Sequence, residues 1–139
     1  MSTEPTDAMP KRILVVDDNP VILGTLTPWL KTKGYEVQTA ADGSEAISHV
    51  RKDKPDLILL DIGFPPDVAH GGGVAWDGFV IMQWLRRDPA FANIPVFIIS
   101  VSDPEKVKAK ALAAGAAAFF HKPIDHDELL AAIEKVLNP

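Results

Sequence analysis

The chain contains no cysteine, which excludes disulfides, thiolate nucleophiles and cysteine-ligated metal centres. No stretch approaches the roughly 18 apolar residues needed to span a bilayer. The opening MSTEPTDAMPKR lacks the apolar core of a signal peptide. Neither membrane insertion nor secretion is expected, and the expected compartment is the cytoplasm. Basic residues are the minority, 14 Lys and Arg against 19 Asp and Glu, for a formal net charge of -5. That balance disfavours nonspecific nucleic-acid binding and suits protein or cation partners. Three glycines run together at 71–73, but without the flanking Lys and Ser or Thr of a phosphate loop. The four histidines, His49, His70, His121 and His126, share no spacing that suggests a metal site.

What remains is an ordinary globular composition: 139 residues, 47% hydrophobic and 24% charged, enough for one domain with a real core. Residues 1–10 are polar with two prolines and read as a disordered leader, leaving 11–139 as the folded unit. Short apolar runs recur along it. Residues 57–60 (LILL) stop at Asp61, and 13–16 (ILVV) stop at Asp17 and Asp18. Residues 94–100 (IPVFIIS) end in Ser100, and 117–120 precede His121-Lys122-Pro123. Continuous apolar runs of this length predict strands buried on both faces. The run 35–40 (YEVQTA) alternates and predicts an edge strand.

Helical patterns separate these runs. The first opens at Pro20, with Ile22, Leu26, Trp29 and Lys33 on one face, and stops at Gly34; Pro28 breaks its pattern. A second opens at Asp42 with Ala46, Ile47 and Val50 inward. A third starts at Asp77-Gly78 with Val80, Ile81, Trp84 and Leu85 inward. An Ala-rich fourth, opened by Asp103-Pro104-Glu105, closes at Gly115. The last starts near Asp125 and carries Leu129, Leu130, Ile133, Val136 and Leu137. Strand–helix alternation five times over predicts a doubly wound parallel α/β sheet with helices on both faces. Its ligand site belongs beyond the carboxyl ends of the strands, where their order reverses.

The polar residues sit on those ends. Asp17 and Asp18 could be helix caps, Ser100 another cap, and Lys122 a solvated turn residue. Independent caps, however, need not supply an acid pair, an acid, a hydroxyl and a base to one rim. Clustered carboxylates raise the cost of ionising one another, and a hard cation such as Mg²⁺ removes that cost. A lysine beside them suits a phosphoryl oxygen. Such a set is suited to phosphoryl transfer onto a carboxylate, here Asp61.

VVDD at 15–18, LLDIGFP at 59–65, IIS at 98–100 and HKP at 121–123 together resemble the receiver domain of two-component response regulators, over residues 11–138. The resemblance implies a flavodoxin-like five-stranded sheet of order 2-1-3-4-5. It implies that Asp17, Asp18, Asp61 and the backbone carbonyl of Gly63 hold Mg²⁺, and that Asp61 accepts a phosphoryl group. Ser100 and Lys122 would engage that group, with Ser100 and Phe119 as switch residues and a cis bond before Pro123. The implied donor is a sensor histidine kinase or a histidine phosphotransfer protein, and the implied output is contact with a downstream protein. Pairing of two copies through the last two helices is an available assembly; no direct contact with nucleic acid or membrane is implied. The chain acts only on itself, so it is not expected to be a turnover enzyme.

The sequence departs from the family in places. The loop 63–76 is longer than usual, and Val101 stands where a small residue is typical. Phe119 carries no phenol hydroxyl, and Gly63 and Ser102 are small where side chains tune hydrolysis. Two rivals follow: a degenerate receiver acting as a phosphorylation-independent binding module, and a flavodoxin-like cofactor binder. The second wants a hydroxyl-rich loop after the first strand, where this chain has two acids.

Overall fold

The computed structural model describes residues 10–61, 78–100 and 104–138. The elements run β1 (Arg12–Val16), α1 (Pro20–Thr32), β2 (Glu36–Ala40), α2 (Gly43–Lys52), β3 (Leu57–Asp61), α3 (Gly78–Arg87), β4 (Val96–Ser100), α4 (Pro104–Ala113), β5 (Ala118–His121) and α5 (His126–Leu137). The five strands form one sheet in the order β2-β1-β3-β4-β5, and every pair is parallel. This is the doubly wound sheet predicted from the alternation of runs.

Alternation along the strands splits the core in two. Leu14, Val16, Ile58, Leu60, Val96 and Ile98 face α2, α3 and Ala111 of α4. Ile13, Val15, Leu57, Leu59, Phe97 and Ile99 face α1 and α5. All five residues of β3 and of β4 are buried, as their unbroken apolar runs require. Each fully buried Leu or Ile contributes about 1.5–3 kcal/mol relative to exposure. The strand β2 borders β1 alone and is mostly half-exposed, in keeping with its alternating sequence.

Local signals set the element ends. Asn19 caps α1 by accepting from the backbone N–H of Val21 at 2.9 Å, and Pro20 follows where its missing N–H costs nothing. Asp42 caps α2 through Glu45 N–H at 2.8 Å, while the Glu45 carboxylate accepts from Ala41 N–H. Gly34 ends α1 at φ +92°, a left-handed conformation that glycine adopts without strain. The helix runs through Pro28 rather than stopping there.

The inward faces differ in detail from the pattern. In α1 the buried residues are Leu26 and Leu30. Lys33 is exposed and acts as the C-cap, its N–H donating to Leu30 O at 3.0 Å while the N–H of Gly34 donates to Lys31 O at 3.0 Å. In α3 Met82 is buried alongside Ile81 and Leu85, whereas Val80 and Trp84 are half-buried. Residues 1–9 of the leader, the loop 63–76 with Trp76, the opening Asp77 and residues Val101 and Ser102 lie outside the described residues.

Candidate functional site

The site forms where β1 and β3 lie side by side and the chain departs in opposite directions, to β2 and to β4. Parallel pairing in register, Val16 beside Leu60 and Leu60 beside Ile98, brings the strand ends to one rim. Asp17 follows β1 directly, its N–H donating to Ala40 O at 3.0 Å. Its Oδ1 accepts from the N–H of Asn19 at 2.9 Å. Asp61 closes β3 and Ser100 closes β4, and all three side chains are buried.

Asp17, Asp18 and Asp61 each offer a carboxylate oxygen within 4.8 Å of the others. Asp17 and Asp61 are buried and Asp18 is exposed. Into this cluster reaches Lys122, whose Nζ lies 2.8 Å from Asp17 Oδ2 and 3.4 Å from Asp61 Oδ2. Burial pulls the Lys122 ammonium toward a lower pKa. The hydrogen bond to Asp17 and the charges of Asp61 and Asp17 outweigh that, and its pKa stands above the ordinary lysine value. The backbone of Lys122 is fixed as well: its N–H donates to Ser100 O at 2.8 Å, and the bond to Pro123 is cis. The stem of Lys122 walls a cavity of about 190 Å³ shared with Ile22, Leu26 and Ile124.

Five of the residues singled out from sequence therefore meet. Two of the three clustered carboxylates, Asp17 and Asp61, share one ammonium, and Ser100 joins them through the backbone of Lys122. Buried charges are tolerated only when compensated, and one lysine leaves this cluster short of positive charge. Hard oxygen donors, few in number and open on the Asp18 side, fit Mg²⁺ by chemistry and by count. The Gly63 carbonyl lies outside the described residues. Phe119 sits apart, half-buried on the α2–α3–α4 side of β5, opposite Ile98 in register.

Two contacts, one beside Lys122 and one at the far end of β4, had no signal in the sequence. The rings of Trp29 and His126 stack at 4.7 Å, joining α1 to the start of α5 across 97 positions of chain. Arg86 donates to three backbone carbonyls, those of Ala92, Ile94 and Gly115. An arginine in the last turn of a helix reads as a solvated partner of the helix dipole. Only the folded chain shows which carbonyls it meets.

The family model for the response regulator receiver domain matches residues 13–134. Protein PilH of Pseudomonas aeruginosa is 34% identical over 126 residues, covering 91% of this chain and 97% of PilH. Response regulator PleD of Caulobacter vibrioides is 37% identical over 128 residues, covering 92% of this chain and 26% of PleD. Among solved structures, the chemotaxis response regulator CheY4 of Vibrio cholerae superposes with a TM-score of 0.78 at 29% identity, over 93% of this chain and 100% of that one. A CheY-like receiver domain protein of Methanospirillum hungatei superposes with a TM-score of 0.78 at 27% identity, over 91% of this chain and 93% of that one.

Proposed function

The chain belongs to the response regulator receiver domains, and from that membership we propose that it is a phosphorylation switch whose phosphoacceptor is Asp61. The observation that carries the assignment is the placing of Lys122 Nζ between Asp17 and Asp61, at 2.8 and 3.4 Å, in a buried acid cluster. Asp61 is the carboxylate at the end of the central strand, and it lies within reach of the one lysine of the cluster.

In the proposed reaction a carboxylate oxygen of Asp61 attacks the phosphorus of a phosphohistidine on a sensor kinase or phosphotransfer protein. The new O–P bond forms as the P–N bond breaks, and the imidazole nitrogen keeps the electron pair. Asp17, Asp18 and Asp61, with the Gly63 carbonyl, would hold Mg²⁺. When bound, the ion offsets charge on the phosphoryl oxygens and lowers the repulsion between acids. Lys122 is the point charge that pairs with a phosphoryl oxygen. Ser100, buried at the end of β4, is the hydroxyl that turns toward the group once it is present. Since Lys122 N–H is bonded to Ser100 O, a pull on either residue is shared by β4 and β5. The output is a biased surface on α4, β5 and α5, read by another protein.

The test is intact mass after incubation with acetyl phosphate and Mg²⁺, beside Asp61→Asn. The expected result is gain of one phosphoryl group by the wild type alone, abolished by a chelator. No gain, under conditions that charge another receiver, shifts the assignment to a phosphorylation-independent binding module.

A further inference from the structure

Helix α4 is lightly fastened. Among its described side chains Ala111 is buried, Val107 is half-buried, and Leu112 is 45% exposed. Two cationic contacts tie it to α3, one on its C-terminal half and one just beyond its end. Lys110 Nζ sits 4.4 Å from the centre of the Phe79 ring. Arg86, in the last turn of α3, donates through one guanidinium nitrogen to Ala92 O at 2.9 Å and Ile94 O at 3.1 Å, and through the other to Gly115 O at 2.9 Å. The first two carbonyls lead into β4, and the third follows α4. A single side chain thus joins the entrance of β4 and the exit of α4 to α3. This junction lies at the end of β4 opposite Ser100 and Asp61.

The packing is close on the glycine side. Gly115 has φ +103°, and a Cβ there would meet Arg86 Nε at 3.0 Å. Burial lowers the pKa of Arg86, yet a guanidinium stays charged, and three carbonyls repay its desolvation. A planar fork holds its donors apart in a fixed plane and so can bridge separated acceptors, whereas a lysine offers a single point charge.

We propose that Arg86 is a positioning residue, the fulcrum that holds the C-terminal end of α4 still while the end beside Ser100 moves on phosphorylation. The proposal rests on the phosphoacceptor reading only for what drives the movement. It predicts a gradient: the change is largest near Glu105–Lys108 and least near Ala114–Ala116.

The experiment is amide hydrogen exchange on the full chain, for the wild type, Arg86→Met and Gly115→Ala, with and without acetyl phosphate and Mg²⁺. Intact mass is read in parallel. In the uncharged protein, Arg86→Met should speed exchange of Ala114, Gly115 and Ala116 about tenfold to a hundredfold, the ratio set by losing a charge-assisted hydrogen bond, with the sheet amides unchanged. Charging the wild type should alter the N-terminal half of α4 alone; charging Arg86→Met should alter both halves. If Arg86→Met fails to fold by circular dichroism, Gly115→Ala, which crowds the guanidinium from the other side, is read by the charged-state gradient alone, because strain at φ +103° speeds its local exchange whatever Arg86 does. Equal response of both halves in the charged wild type overturns the fulcrum. So does a variant that melts earlier yet keeps the wild-type gradient, because that is a merely structural role. If no phosphoryl mass is gained, the phosphoacceptor reading falls. The fulcrum is then decided by the uncharged comparison.

Discussion

At the scale of single residues, the gathering of Asp17, Asp18, Asp61 and Lys122 follows from their places at strand ends. A buried apolar run that stops at an acid is conspicuous, and the strand order delivers those ends to one rim. The fork of Arg86 and the Trp29–His126 stack were not readable, since their partners are set by tertiary approach and not by spacing. Tyr35, the single tyrosine, belongs to the same class. Its phenol is 9% exposed. Burial first, and the charge of Glu134 second, raise its pKa, against a smaller pull from the Asn138 amide that donates to its oxygen. The folded state therefore favours the neutral phenol. Its contribution to stability is complete below the unfolded value of about 10, and is lost as pH rises through the folded value. Absorbance near 295 nm should show one tyrosinate transition displaced above that of a model peptide. Tyr35→Phe should flatten the alkaline fall in melting temperature, and an unshifted transition would contradict the assignment.

At the scale of elements, strand and helix identity followed from periodicity, while ends and inward faces shifted by a residue or two. Lys33 fell off the face of α1 because Gly34 in its left-handed conformation makes Lys33 the cap. Met82 was missed although its spacing from Leu85 fits the helical period, because the pattern sets Val80 and Trp84 on the inward face instead, and these prove half-buried. Pro28 neither ended nor shortened α1. Its residue four positions back is Gly24, exposed and with open space where a Cβ would stand. Gly24→Ala should therefore raise stability by about 0.5–1 kcal/mol through the entropy of the unfolded chain, read as a higher urea midpoint with an unchanged slope. A fall in midpoint would mean that the proline ring needs the space.

At the scale of the whole molecule, α1 is distinctive: from Pro20 to Leu30 it bears no charge, and Val21 is 69% exposed. That uncharged face adjoins the cavity under Lys122, where under the proposed function a protein donor would bring its phosphohistidine. Val21→Asp should slow transfer from a phosphotransfer protein about tenfold or more, given the cost of a misplaced charge in a contact. Loading from acetyl phosphate should be unchanged; equal loss in both assays would point to damage of the site itself. The chain spans nearly all of PilH but about a quarter of PleD, 97% against 26%. The ion pair that closes the pocket joins residues 105 positions apart. On a ribosome, Asp17, Asp18 and Asp61 emerge first, and Lys122 follows seconds later at roughly 5–20 residues per second. The nascent chain can thus lay down its central strands with the acids gathered and their lysine still unmade. Docking of the last strand–helix unit then brings the acids their compensating charge as well as hiding apolar surface.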